Sequence, residues 1–363
     1  MKKLAHKILV YLNVLVAAGL VLAYLSTVIS PAKIWPLAFF GLAYPYLFLA
    51  NLILLIYWIV RWKKTAIISL SVILMGVGYM NDYFPLLVRK NKKSDAGSHH
   101  EIKILSYNVR AFNIYEWLAD PNTNKGIFNF IRSEHPDLIC IQEFYTNNNS
   151  TLRPENVNKI FGETPYHHIH YIIKSGKNTG YGIATFSKYP IVGKGVISFD
   201  HSRNVAIYTD IAFEDDTVRI YNNHLQSINF RSNNYQFIDS LKLRYDEKQL
   251  KELHDISSKL KLAFIKRARQ ADKVSASIRH SPYPVIVCGD FNDTPVSYTY
   301  HKMSRGLDDA FIKAGTGIGN TYLGRLSFRI DYILYSGEFK AVDFEKVEAR
   351  LSDHYPIMSV LRK

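Results

Sequence analysis

Two cysteines, Cys140 and Cys288, are all that 363 residues contain, and no Cys and His spacing suited to zinc occurs. Both lie in apolar, strand-like runs and read as small buried hydrophobes, with a disulfide open to them only outside the cytoplasm. A glycine-rich phosphate loop is also missing, which excludes the nucleotide chemistry that such loops support. No internal repeat or low-complexity tract is found, and the basic residues Lys259, Lys261, Lys266 and Arg269 of a long amphipathic stretch read as a solvated face. Of the net charge of +14, residues 1–100 hold +9, from eleven Lys and Arg against two acids, so the remainder is only mildly basic. The high pI of about 9.4 is therefore not a nucleic-acid footprint.

Long apolar runs are what the first part of the chain does have. From Ile8 to Ile29 only Asn13, Ser26 and Thr27 interrupt a stretch of the length needed to cross roughly 30 Å of hydrocarbon. Pro36 to Val60 is a second, with Asn51 as its strongly polar residue and Trp35, Trp58 and Trp62 near its ends, where indoles favour the membrane interface. Ala66 to Val88 is a third, broken by Asn81, Asp82 and Pro85. The first run is too long for a cleaved signal peptide and is followed directly by another. Residues 1–88 are thus expected to form a transmembrane segment of about three helices, with the lipid bilayer as its partner. Lys2, Lys3 and Lys7 before the first helix and Arg61, Lys63 and Lys64 after the second place both ends in the cytoplasm. Three crossings then put the rest of the chain on the non-cytoplasmic side of a bacterial-type inner membrane, although Arg89, Lys90, Lys92 and Lys93 oppose that orientation.

Residues 89–100 are polar and small and read as a linker. Beyond them the pattern changes to strands, at Lys103–Asn108, Asp137–Gln142, His168–Ile173, Gly182–Ser187, Val205–Phe213, Val218–Asn223, Val285–Cys288 and Ile330–Tyr335, with a final strand inside 348–360. Asp215-Asp216 is a plausible turn. Apolar residues at helical spacing predict helices over Gly126–Ser133 and, at greater length, over Leu250–Ile278, where Arg267 and Gln270 would seat the helix on a sheet. Residues 227–245 read as a loop near a cleft. The expected class is α/β (α+β): a four-layer, two-sheet β-sandwich flanked by helices and preceded by the transmembrane helices.

Six of the strand-like runs end in, or carry, acids, amides or imidazoles: Asn108, Glu143, His224, Asp290 with Asn292, Asp331, and Asp353 with His354. Sheets deliver polar groups to one rim in this way, and a cleft is built from such a rim. Phosphodiester hydrolysis needs cations on the phosphoryl oxygens, an activated water and a proton for the leaving oxygen. Hard oxygen donors such as Glu143, Asn108 and Asp353 suit Mg²⁺.

Taken in order, Ser106-Tyr107-Asn108, Ile141-Gln142-Glu143, Tyr181-Gly182, Asn223-His224-Leu225, Gly289-Asp290-Phe291-Asn292, Arg329-Ile330-Asp331-Tyr332 and Ser352-Asp353-His354 make residues 102–361 resemble the endonuclease/exonuclease/phosphatase superfamily. That resemblance implies a catalytic domain over 101–363 in which Glu143 is the principal Mg²⁺ ligand, with Mn²⁺ as an alternative, and Asn108 and Asp353 complete or orient the metal shell. It implies that Asp290 activates or positions the attacking water and that Asn292 donates to the phosphoryl oxygens. His354, held by Asp331, would contact the phosphate, and His224 would stabilise it or help protonate the leaving oxygen. Tyr181, at a strand start, is assigned to packing, and His99, His100, His167, His168 and His170 to linker and strand.

The function expected is a membrane-anchored, Mg²⁺-dependent phosphoesterase that hydrolyses a phosphodiester, in nucleic acid or a phospholipid headgroup, by direct water attack. The alternative is a non-catalytic membrane protein that uses the same fold as a binding module. No protein partner follows from the sequence.

Overall fold

Alternation of apolar residues with period two, in runs separated by turn residues, produces two six-stranded sheets in this computed structural model. It describes residues 2–85, 100–148, 151–228, 230, 234, 247–324 and 327–363. The predicted linker, except His100, the basic cluster from Arg89 to Lys93 and most of the predicted loop at 227–245 lie outside the described residues.

The first sheet contains β1 (Glu101–Asn108), β2 (Leu138–Thr146), β3 (Tyr166–Ser175), β4 (Thr179–Ser187), β11 (Lys340–Lys346) and β12 (Ile357–Arg362), in the order β11-β12-β1-β2-β4-β3. The second contains β5 (Ile191–Ser198), β6 (Val205–Phe213), β7 (Asp216–His224), β8 (Val285–Asp290), β9 (Asp308–Asp309) and β10 (Asp331–Tyr335), in the order β5-β6-β7-β8-β10-β9. Ile102, Ile104, Leu138 and Cys140 of the first sheet meet Ile220, Ile286, Cys288 and Ile333 of the second in one buried cluster. Leu105, Tyr107, Ile139 and Ile141 take the alternate positions and pack under helix α6 (Thr123–Ser133) and α7 (Pro154–Ile160) through Ile127, Phe128, Ile131 and Val157. Both cysteines are buried, as read from their apolar surroundings, and free, which the sequence left open.

Two pairs of strands are parallel, β1 with β2 and β7 with β8. Each needs a crossover, supplied by α6 in the first case and by α8 (Glu247–Arg279) in the second. The strands β5 and β11 have no counterpart in the sequence reading. Both lie at sheet edges, where Gly193 and Gly195 in one and Lys340, Asp343, Glu345 and Lys346 in the other remove the apolar signal. The turn expected at Asp215-Asp216 sits one residue earlier, at Glu214-Asp215.

The chain divides into two compact units, one of Met1–Met80, Gln226–Asp272 and Thr294–Lys302, the other of Asn81–Leu225, Lys273–Asp293 and Met303–Lys363. In the first unit, α1 (Lys2–Val28) is long and apolar enough to cross a membrane. The second and third apolar runs are not the continuous helices expected. They form α2 (Pro36–Leu42) with α3 (Tyr44–Val60), bent by 65°, and α4 (Ala66–Met75) with α5 (Val77–Tyr83), bent by 63°, so up to three spans result if each bent pair counts as one.

Each bend has a local cause. Pro45 lacks an N–H and begins α3, which ends α2 beforehand. At Gly76 a Cβ would meet the Tyr24 hydroxyl at 2.0 Å, and that hydroxyl donates to the Val72 carbonyl at 2.9 Å. The side chain of α1 thus satisfies a backbone acceptor at the break. The polar residues that interrupt the runs bond between helices: Ser69 donates to Asn13 Oδ1 at 2.6 Å, and Asn51 Nδ2 donates to the carbonyls of Val16 and Leu47 at 3.1 and 2.9 Å. Trp58 is buried and packs edge-on against His6 at 5.4 Å. In this unit, too, Phe264 of α8 packs edge-on against Phe39 at 5.3 Å. Arg267 Nε donates to the Gln226 carbonyl at 2.9 Å and Gln270 accepts from its N–H at 2.7 Å, so both fix the residue that follows β7 by two positions.

Gly289, at φ +129°, has the Asn223 carbonyl 2.1 Å from where a Cβ would stand. Gly289→Ala is expected to cost about 3 kcal/mol or more of stability. Gly176→Ala, also at positive φ but in open space, should cost about 1 kcal/mol. Thermal unfolding of the two variants in detergent measures the contrast, and equal losses would contradict the close approach of β7 and β8.

Candidate active site

The parallel pairs aim their carboxyl ends at one rim, in the manner of ligand sites on α/β sheets. Asn108 ends β1, and His224, ending β7, is in register with Asp290, ending β8. Asp290 is also in register with Asp331 at the start of antiparallel β10. Glu143 arrives differently. The pairing of β2 with β4 slips between Ile141 and Phe144, and Glu143 sits in this bulge at φ +53°. Bulges re-aim side chains in this way, and a left-handed Glu costs of order 1–3 kcal/mol that the surrounding structure must hold. Asn292, at φ +54°, turns the chain immediately after β8.

Asp290 is the hub. Its carboxylate accepts from the Asn108 amide at 3.1 Å and from the Asn292 side-chain amide and backbone N–H at 2.9 and 2.8 Å. Two imidazoles face the same oxygen, Oδ2, with His224 Nε2 and His354 Nε2 both at 3.8 Å. The other nitrogen of His354, Nδ1, donates to Asp331 Oδ2 at 2.9 Å. The Asn108 amide also reaches Glu143 Oε1 at 3.4 Å, and His224 Nε2 stands 3.8 Å from that oxygen. His224 Nε2 is buried and has no hydrogen-bond partner among the described residues. Asp353 pairs with Arg110 at 3.2 Å, while Ser352 donates to the Asn108 carbonyl at 2.8 Å and ties this segment to β1.

A family model described as the endonuclease/exonuclease/phosphatase family matches residues 105–354. The chain belongs to this family. Residues 6–83 match a domain of unknown function, and no curated protein matches the sequence. Among solved structures, the catalytic domain of human Nocturnin with bound sulfate is 16% identical with a TM-score of 0.51, covering 76% of this chain and 98% of that one. An endonuclease/exonuclease/phosphatase from Bacteroides vulgatus is 18% identical at a TM-score of 0.50, over 72% and 98%. A humanized D. rerio TDP2 is 16% identical at 0.50, over 72% and 99%. These likenesses show the fold.

Of the residues singled out in the sequence, this family fold brings Asn108, Glu143, His224, Asp290, Asn292, Asp331 and His354 into one network, with Asp353 bound to it through Ser352 and Arg110. Tyr181 was assigned to packing, and the structure puts it beside the network instead: its phenol hydrogen-bonds Glu143 and is held neutral by burial and by the charges of Glu143 and Asp290. The adjoining Gly182 was the available signal, since a Cβ there would meet the His170 carbonyl at 1.9 Å. Also unforeseen were Arg110, Asn204, which donates to the Leu225 carbonyl at 2.9 Å, and Thr321, whose hydroxyl accepts from the N–H groups of Ile330 and Asp331 at 3.1 Å. Nothing in their local sequence marks them.

Burial sets most of the electrostatics. It pushes the Asp290 carboxyl up to about 6 against the opposing pull of His354 and His224, and raises Glu143, with Asp353 adding to the rise. Burial holds His224 below the usual imidazole range. For His354 burial disfavours charge, but Asp331 and Asp290 outweigh it and push the imidazole up to about 10.

Family members generally hydrolyse phosphoesters with a divalent metal. The donor set here fits such an ion. Glu143, Asp290 and Asp353 gather at one rim; Asp353 adds to the rise of the Glu143 carboxyl and Asp331 to that of Asp290, and a hard cation relieves such repulsion. The tightest grouping of ligand-type atoms, within 4.8 Å, is Asp290, Asp331 and His354. Within that grouping Nδ1 of His354 donates to Asp331, which fixes the ring and aims Nε2 at Asp290.

A folded-state value above the unfolded one means that the His354 contribution is complete below about 6.5 and disappears as pH rises through about 10. In chelator, thermal stability should therefore fall between pH 7 and 10, and His354→Gln should flatten that slope. An unchanged slope would separate His354 from the acids around it.

Proposed function

We propose that this chain is a membrane-anchored, Mg²⁺-dependent phosphodiesterase that cleaves a P–O bond by direct attack of water, with residues 1–88 in the bilayer and 101–363 as the catalytic domain. The observation that carries the reading is the convergence on Asp290 of two imidazoles and two amides, with a second carboxylate, Glu143, sharing Asn108 and His224. Glu143 would hold the cation, with Asp353 completing the oxygen set. The bound cation would supply positive charge to the phosphoryl oxygens. Asn108 donates to both acids and its side-chain oxygen Oδ1 accepts from the Arg110 N–H at 3.1 Å, so it serves chiefly to orient them.

Asp290 takes the role of general base. A carboxyl pushed up to about 6 is close to neutral pH, where proton acceptance is most effective, and three donors fix its direction. His354, kept protonated by Asp331, presents Nε2–H toward the same oxygen and gives the phosphate a fixed positive charge. His224, neutral and with Nε2 lacking a partner, can accept or donate at a substrate oxygen. Asn292 donates to Asp290 and to the Leu225 carbonyl at 3.0 Å, and contributes positioning as well as any contact to phosphate. The long apolar helix α1 supports the anchor, and the basic residues at both its start and at 61–64 support a catalytic domain outside the cytoplasm.

Purified full-length protein should hydrolyse a phosphodiester panel of DNA, RNA, bis-p-nitrophenyl phosphate and lipid headgroups only with Mg²⁺ and not with chelator. Asp290→Asn and Glu143→Gln should each lower kcat/KM by about 10³-fold or more while leaving thermal unfolding cooperative. Absence of hydrolysis of every substrate by the wild-type protein with Mg²⁺ would favour the binding-module alternative, and turnover retained in both variants would remove Asp290 and Glu143 from the reaction. A reporter fused after Lys363 that is active only outside the cytoplasm should be active; silence would reverse the orientation.

A further inference from the structure

Immediately after β1 the chain makes a turn that no common backbone preference explains. Arg110, Ala111, Phe112 and Asn113 all have φ between 44° and 60°, and Glu116 has φ +53°. Runs of left-handed non-glycine residues persist only where the surroundings enforce them, and they concentrate at ligand sites. Enforcement is visible. Phe112 is buried between Phe128 and Phe144, at 4.9 and 5.8 Å, and the Asn113 side chain both donates to and accepts from the backbone of Leu118 at 3.0 Å.

This rigid turn displays two large aromatic rings to solvent. Tyr115 is 66% exposed and Trp117 52% exposed, with ring centres 5.6 Å apart in an edge-to-face pair. Burying them in the core was open to the fold, which buries Phe112 and Phe128 a few residues away. Arg110 joins the pair to the catalytic rim. Its guanidinium lies 4.3 Å over the Trp117 ring and 3.2 Å from the Asp353 carboxylate, so one side chain spans from the indole to the acid. Tyr115 is in turn an electrostatic neighbour of Tyr181, which bonds Glu143.

We propose that Trp117 and Tyr115, held by Arg110, form a stacking subsite for a planar heteroaromatic ring, so that the phosphodiester cleaved at this site carries a nucleobase on one of its arms. The inference rests on the phosphodiesterase reading above and narrows it to nucleic acid or nucleotide substrates. Rigid aromatic rings beside a phosphate-handling cleft bind bases through their π-faces without sequence preference, and a stacked guanidinium strengthens such a platform. It also supplies what the mildly basic domain lacks, because affinity from stacking does not require a charged stripe. Insertion of the same rings into a bilayer is the less favoured use: the exposed acids Glu116 and Asp120 lie between and beside them and would have to enter an anionic surface.

The full-length protein in detergent is assayed on a thymidine decamer and on a decamer of abasic tetrahydrofuran phosphodiester, which has the same charge and no bases. Wild type should show a KM about tenfold or more lower for the thymidine decamer. In Trp117→Ala that ratio should fall toward one, and Trp117→Phe should restore most of it. Equal KM values in wild type, or an unaltered ratio in Trp117→Ala, would overturn the subsite. So would a Trp117-dependent shift of emission on vesicles of phosphatidylglycerol with none on the decamer, which would assign the rings to the membrane. If neither decamer is cleaved, bis-p-nitrophenyl phosphate and lipid headgroups with Mg²⁺ separate the two readings: hydrolysis of either overturns the nucleobase subsite alone, and hydrolysis of none overturns the hydrolase reading. Quenching of Trp117 emission by the thymidine decamer but not by its abasic counterpart still decides the stacking claim.

Discussion

A carboxylate almost wholly removed from solvent is costly unless every lone pair is answered, and Asp290 is the group on which this site is organised. The donors that answer it come from β1, from the turn after β8 and, at longer range, from the ends of β7 and the segment before β12. No one element could provide them. The two sheets must therefore meet with their polar ends on one rim, and the register of β8 between β7 and β10 is what sets the distance. A slip of a single residue in β8 would turn Asp290 to the opposite face.

Beneath that rim the sandwich carries a polar bridge where a hydrophobic core would have been simpler. Gln142 donates to Asn222 Oδ1 at 2.7 Å, and Asn222 donates on to the Ala184 carbonyl at 2.8 Å, all buried. These bonds tie β2 of one sheet to β7 of the other, one residue before Glu143 and two before His224. Buried amides bonded across the two sheets in this way select one alignment among many apolar ones, and in that alignment Glu143 and His224 stand 3.8 Å apart.

Much of this was legible in the sequence, because strands that end in acids, amides and imidazoles announce a polar rim, and the order of the motifs carries the family. The expected strands and the long helix over 250–278 are present, extended by a few residues. What escaped did so for physical reasons. The edge strands β5 and β11 bury one face at most and lose the alternating pattern. Tyr181 looks like any aromatic at a strand start until a bulge turns Glu143 toward it. The bends in the second and third apolar runs depend on Pro45, which could be read, and on Tyr24 reaching across to Val72, which could not.

Arg329 ties residues near the end of α5 to the strands of their own compact unit. Buried between the rings of Phe311 and Tyr332, each 4.7 Å away, its guanidinium bonds Asp309 at 2.7 Å and the backbone carbonyl of Asp82, near the end of α5, also at 2.7 Å. Two residues later the chain reaches Asp331. A soluble truncation that begins after the linker would strip away that carbonyl and leave a sequestered cation short of an acceptor, close to the acid that steers His354. The natural seam for dissecting the molecule therefore lies ahead of Asp82, inside the apolar segment, and not where the hydrophobicity of the sequence ends.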